Sequence, residues 1–156
     1  MAGEITFSVA RRETDAPTGF ELGDVTVEGP QGVATSIGTM PDQGMMIYVA
    51  LVDLMSGVAK LTRDRKYRRY EFVGADSSYV LLFERMRADE VVIRYRKRII
   101  GQQAARKIAL ALLAEVNRFW GEFPLAADDS CYEDFLRGRS RLMSALQGAS
   151  GTDEPK

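Results

Sequence analysis

The sequence predicts an α+β domain: an antiparallel sheet of about six strands in the order βββ-α-βββ-α-α, with a central apolar helix and two C-terminal helices. Three observations predict it. Residues 45–61 (MMIYVALVDLMSGVAKL) repeat apolar side chains every three or four positions on nearly every side, with Asp53 the only charge before Lys60. On either side of that stretch, short segments alternate apolar and polar residues, the period of a half-buried strand. Beyond residue 102 the helical spacing returns twice.

Taken in order, Ile5, Phe7 and Val9 alternate with Thr6 and Ser8 and form a first strand. Residues 11–23 lose that alternation and carry Pro17 and Gly19, a loop. Val25 and Val27 restart a strand that closes at Gly29-Pro30-Gln31-Gly32, and Val33 to Ile37 complete a hairpin. Thr39-Met40-Pro41-Asp42 reads as a helix start: a capping hydroxyl, a proline where no amide bond is needed, and an acid suited to the helix dipole. The central helix, Met45 to Leu61, is too apolar to leave half its surface wet. Asp53 and the small Ser56-Gly57 pair argue for a covered helix rather than a membrane span. Asp53 is expected on a narrow exposed stripe with Gly57 and Lys60, or paired with an arginine of the sheet.

The basic connection RDRKYRR, residues 63–69, leads into a strand from Tyr67 to Val73. The next, Tyr79 to Met86, is apolar on both faces and belongs inside a sheet. A sixth strand, Val91 to Ile100, points Val91, Ile93, Tyr95 and Ile99 one way and Arg94, Arg96 and Arg98 the other. For Leu81 and Phe83 to share the core face with Tyr95 and Ile93, facing residue numbers must sum to an even number. A three-residue loop, Arg87-Ala88-Asp89, satisfies that parity and sets Leu82 across from Arg94. Gln103 to Trp120 forms a second helix, stopped by Gly121 and Pro124. Ser130-Cys131-Tyr132-Glu133 has capping-box spacing and opens a third. Residues 1–146 are thus expected to form one domain, and 147–156 a disordered tail.

The net charge of −1 conceals a segregation. Residues 1–59 hold 2 basic and 8 acidic side chains, residues 60–107 hold 14 and 6, and residues 108–156 hold 5 and 8. The chain has no histidine, which removes the commonest general base and metal ligand. Its single cysteine, Cys131, rules out an internal disulfide and, without histidine, is expected to be a packed thiol rather than a nucleophile. Asp128, Asp129, Glu133 and Asp134 lack the spacing of a calcium loop and suit helix capping. No glycine-rich phosphate loop, nucleotide fingerprint or nucleophile elbow is present. No catalytic, cofactor-binding or metal-binding residue is therefore assigned.

The feature that points to function is the arginine strip: Arg63, Arg65, Arg68, Arg94, Arg96 and Arg98, extended by Lys66 and Arg69. Such a strip suits phosphates or an acidic protein surface. It also suits an ordinary solvated strand face on which Glu71 and Glu84 neutralise it. The expected function is a small non-catalytic protein-binding module, similar in size and general character to immunity or inhibitor proteins, with an acidic protein as partner. The alternative is a nucleic-acid-associated protein using the arginine-rich face. Trp120, Phe123, Tyr132 and Phe135 are expected to close the core between the last two helices. No membrane partner is expected. The absence of a basic, apolar leader predicts a cytoplasmic protein, and the arginine, alanine and glycine usage a GC-rich bacterial source.

Overall fold

The computed structural model describes residues 4–152. It is an α+β structure with two four-stranded antiparallel sheets rather than one sheet of six strands. The first sheet comprises β1 (Thr6–Arg11), β2 (Leu22–Gly29), β3 (Gly32–Thr35) and the two-residue β4 (Met45–Met46), with β2 at its centre. The second is a meander of β5 (Arg69–Val73), β6 (Val80–Arg85), β7 (Glu90–Tyr95) and β8 (Arg98–Ala104). Helices α1 (Ile47–Arg63), α2 (Ala105–Glu122) and α3 (Tyr132–Thr152) complete the order. The sheets meet where β8 passes the β2–β3 turn: Gln31 N–H donates to Ile100 O at 2.9 Å, and Gly29 lies too close to the Ile100 carbonyl to admit a side chain. Among the described residues no helix is long and apolar enough to cross a membrane.

Two extra strands account for the difference from the sequence reading. β4 forms where a helix start was expected. Thr39 Oγ1 instead accepts from Gln43 N–H and Asp42 Oδ1 from Gly44 N–H, a turn that delivers Met45 and Met46 to β2. The other extra strand comes from dividing Val91–Ile100 at Arg96-Lys97. Both residues have positive φ, 52° and 68°, the conformation of a two-residue hairpin turn. No glycine or asparagine announces that turn.

Ten of the 17 residues of α1 are buried. Its first turn is anchored by backbone, with Ile47 N–H donating to Glu21 O at 3.1 Å. Its last turn ends on a buried cation. Arg85 extends from β6 with a side chain 1% exposed, donating to Leu61 O, Tyr67 O, Ala88 O and Asp64 O. Positive charge at a helix C-terminus interacts favourably with the negative end of the dipole and satisfies carbonyls that the helix cannot. Gly57 lies under the ring of Tyr70, whose hydroxyl donates to Asp53 O at 3.0 Å. Gly57 therefore does not join Asp53 and Lys60 on an exposed stripe, and among the described residues no arginine pairs with Asp53.

The opening of α3 also differs from the capping-box reading. Asp129, not Ser130, serves the turn: its carboxylate accepts from Cys131 N–H at 2.9 Å and from Gly19 N–H at 3.0 Å. α3 continues through Thr152, past the predicted tail boundary at residue 147, and residues 153–156 lie outside the described residues. The aromatic corner forms as expected, with Trp120 stacked on Phe135 at 4.4 Å and tilted against Tyr132.

Leu54 is fully buried on the core side of α1. Leu54→Ala should lower the free energy of unfolding by about 2–5 kcal/mol. Asn117→Ala, on the exposed side of α2, should change it by less than about 0.5 kcal/mol. Urea unfolding of the two variants beside the parent checks both.

Candidate functional site

The second sheet has one face on the core and one uncovered. Facing partners in a sheet share a face, so the register defines both sides. Tyr70, Phe83 and Ile93 form a buried row, with Phe72 and Leu81 beside them. On the other side lie Arg69 and Glu84, then Glu71, Leu82 and Arg94, then Val73 and Val80. The β6–β7 register is the one the parity argument requires: Phe83 faces Ile93 and Leu82 faces Arg94. The loop is closed by Met86 N–H to Glu90 O at 2.8 Å, leaving Arg87, Ala88 and Asp89 between.

A groove of about 520 Å³ crosses this outer face. Val80 and Leu82 make its apolar floor, and Arg69, Arg94, Arg96 and Lys97 are its cations. Glu71 lies among them, and Arg94 is bound to Glu84 with Nε 2.7 Å from Oε1. Tyr95 forms one end. Its hydroxyl donates to Gln43 Oε1 at 3.0 Å, and the Arg96 guanidinium lies 5.1 Å from its ring centroid. Gln43 is held in turn: Ser77 Oγ donates to Gln43 O at 2.8 Å, and Gln43 Nε2 donates to Ser78 O at 3.3 Å.

The segment carrying Gln43 is clasped from the first sheet. The Arg12 guanidinium bonds Asp24 through Nε and Nη2 and Asp42 through both terminal nitrogens, all at 2.8–2.9 Å. Ser36 Oγ, fully buried, donates to Asp24 Oδ1 at 2.7 Å. Hydrogen bonds from Arg12 and the Gly44 N–H hold the Asp42 carboxyl well below the ordinary carboxylate range.

The six arginines singled out from sequence do not form one strip. Arg94 and Arg96 line the groove, Arg94 from β7 and Arg96 from the following turn. Arg98 faces Tyr95 across that turn, while Arg94 faces Ile99, so Arg98 lies on the opposite face from Arg94. The expected row of three arginines at alternate strand positions is thereby corrected. Arg63, Arg65 and Arg68 gather at the far end of the sheet, beyond the six residues of β6, which span roughly 17–20 Å at about 3.3 Å per residue. There Arg65 pairs with Asp89 at 3.2 Å, Arg68 donates to Met86 O at 3.1 Å, and Arg63 is exposed at the end of α1.

The remaining candidates have local roles. Cys131 is buried beside Gly19, and burial pushes its thiol up from the ordinary value. Partial desolvation likewise raises the Asp53 carboxyl. Asp134 pairs with Arg137 at 3.0 Å, on the exposed side of α3. Sequence reasoning omitted Lys97, Tyr95 and Gln43 from the site. Gln43 had no signal at all, since it stands in a turn that only the tertiary fold creates.

A pH dependence follows from the Arg12 clasp. Asp42 binds its proton more weakly folded than unfolded, so its pairing stabilises fully above the unfolded value of about 4 and fades as pH falls toward the folded one. Asp42→Asn should be less stable than the parent at pH 7, and the gap should narrow steadily below about pH 4. Thermal melts of both chains across the acid range measure it.

No protein-family model matches the chain, and neither a curated protein nor a solved structure does.

Proposed function

We propose that the protein is a non-catalytic protein-binding module that takes an acidic segment of a partner protein across the outer face of the second sheet. The observation that carries this reading is the uncovered groove itself, an apolar floor of Val80 and Leu82 bordered by Arg69, Arg94, Arg96 and Lys97. Interfaces combine a desolvated apolar centre with charges at the rim, and rim charges steer association. Arginine suits carboxylates because its planar fork takes both oxygens at once. Occupying a partner's surface in this way needs no general base, which suits a histidine-free chain.

The same face supports a nucleic-acid reading less well. Glu71 and Glu84 stand among the cations, and Arg94 is already engaged by Glu84. A phosphate backbone is best met by uninterrupted positive charge. The second basic group lies at the other end of the sheet, where Arg65 is engaged by Asp89 and Arg68 by Met86 O, leaving Arg63 as its exposed cation.

A partner captured by affinity pull-down would allow association rates to be measured for the parent and for the double variant Arg96→Glu/Lys97→Glu. Both residues are exposed, so the fold should tolerate the change. Association should slow by about tenfold at low salt, and the difference should shrink as salt rises. Equal rates with equal salt dependence, in a folded variant, would refute the groove as the binding face. A salt-sensitive gel shift with DNA or RNA would favour the alternative.

A further inference from the structure

In an antiparallel pair, hydrogen-bonded and non-bonded residues alternate, so an edge strand turns every second residue's backbone groups away from its neighbour. In β5 the inward positions are even-numbered. Gly74 N–H donates to Tyr79 O and Arg85 N–H to Arg68 O, both at 2.8 Å and in the register that pairs Tyr70 with Phe83 and Phe72 with Leu81. Arg69, Glu71 and Val73 therefore aim their N–H and C=O groups outward. Among the described residues none of these groups has a hydrogen-bond partner.

The other edges are occupied or short. On β1, Val9 N–H donates to Glu115 Oε2 at 2.7 Å, Arg118 donates to Val9 O at 2.9 Å, and Ile5 N–H donates to Gln103 Oε1 at 3.1 Å. β8 lies against the first sheet, where Ile100 O receives Gln31 N–H. β3 is four residues long. An unprotected strand edge is a template for another strand.

The side chains of β5 select the strand that fits. Arg69 and Glu71 are exposed on the outer face, and among the described residues neither takes part in an ion pair. A two-fold axis through Tyr70 sets Arg69 opposite Glu71 of a second copy and Glu71 opposite its Arg69. All four are outward positions, so one register satisfies their backbone groups and both ion pairs together. An axis at Glu71 would face glutamate with glutamate, and one at Arg69 would face arginine with arginine. An axis at Phe72 would leave Glu71 against Val73. Like charges directly opposite are destabilising and opposite charges stabilising. A closed two-fold interface uses one patch on both copies, which this charge pattern matches.

We propose that the protein forms a two-fold homodimer by antiparallel pairing of its β5 edges in the Tyr70-centred register, with Arg69 and Glu71 as reciprocal ion pairs. The second sheets of the two copies then join into one continuous sheet of eight strands. This interface shares Arg69 and Glu71 with the groove lining but not Arg96 and Lys97, the positions that test the groove.

Sedimentation equilibrium up to about 100 µM, a range that captures a micromolar Kd, tests it. The parent should approach twice the 17.4 kDa chain mass. Arg69→Glu alone opposes glutamates, and Glu71→Arg alone opposes arginines, so each should weaken the dimer at least about tenfold. Combining both substitutions in one chain restores opposite charges and should restore the dimer. So should mixing the two single variants, which pair only with each other. Glu71→Pro removes an outward N–H without touching the β5–β6 bonds and should also give monomer. A monomeric parent over this range overturns the proposal. So does a dimer indifferent to these substitutions, or a charge exchange that fails to restore association in a folded chain.

Discussion

Helix α1 has almost no side it can leave in water, and the surrounding architecture answers that constraint. Tyr48 meets Phe119 of α2 and Phe135 of α3, with ring centroids 5.2 and 5.9 Å apart. Tyr70 of β5 rests on Gly57, and Gly138 of α3 rests against Met55 and Val52. Gly23 of β2 closes on Ile47. Each fully buried large apolar side chain contributes about 1.5–3 kcal/mol relative to exposure, so the layers hold together chiefly by enclosing this one helix. Gly57 and Gly23 allow the approach, since a Cβ at either would collide with its neighbour, while one at Gly138 would meet the flexible end of Met55 at 3.1 Å.

Enclosing a helix also buries its ends and the strands beside it, and those polar groups are met by arginine. Arg85 satisfies the carbonyls at the end of α1, although burial lowers its affinity for the proton it carries. Arg11 and Glu21 form a pair whose side chains are 6% and 4% exposed, with Nε to Oε2 at 2.6 Å. Such a pair is weak evidence for net stability, because desolvation offsets the attraction. Its geometry nevertheless positions the Thr18–Glu21 loop, since Thr18 N–H also donates to Glu21. Arg12 does the same for the segment that supplies Gln43 to the groove. The site's end wall thus depends on charges located in the other sheet.

Where the sequence was legible, the signal was periodic and local. The apolar period locates α1, and the alternation of Leu81, Phe83, Ile93 and Tyr95 with its parity implies the β6–β7 register. The same parity rule explains the main failure. Arg96-Lys97 is a two-residue turn, whose odd sum exchanges faces, so Arg98 parted from Arg94. Positive φ at two long cationic residues is imposed by the pairing of the strands around it, and composition gave no hint. Asp42 misled for a related reason, and the Asp129 capping reading was incomplete for the same one. Each bonds to residues more than 25 positions away, Arg12 and Gly19, while the readings at those sites used only neighbours. Of the groove, the floor and Arg94 could be placed from pattern, but Gln43 and Tyr95 could be joined only by the fold.

The partners of α1 lie far along the chain, and synthesis delivers them late. Tyr132, where α3 begins, follows the end of α1 by 69 residues. At about 5–20 residues per second the ribosome takes several seconds to make that stretch. Throughout that interval the flank bearing Val52 and Met55 has no cover, even once β5 has emerged to set Tyr70 on Gly57 at the opposite flank. A chain stopped before α3 would carry an open apolar channel along its central helix, the kind of surface that chaperones hold and that aggregates recruit. The order of manufacture, as much as the finished packing, therefore sets when this protein is most vulnerable.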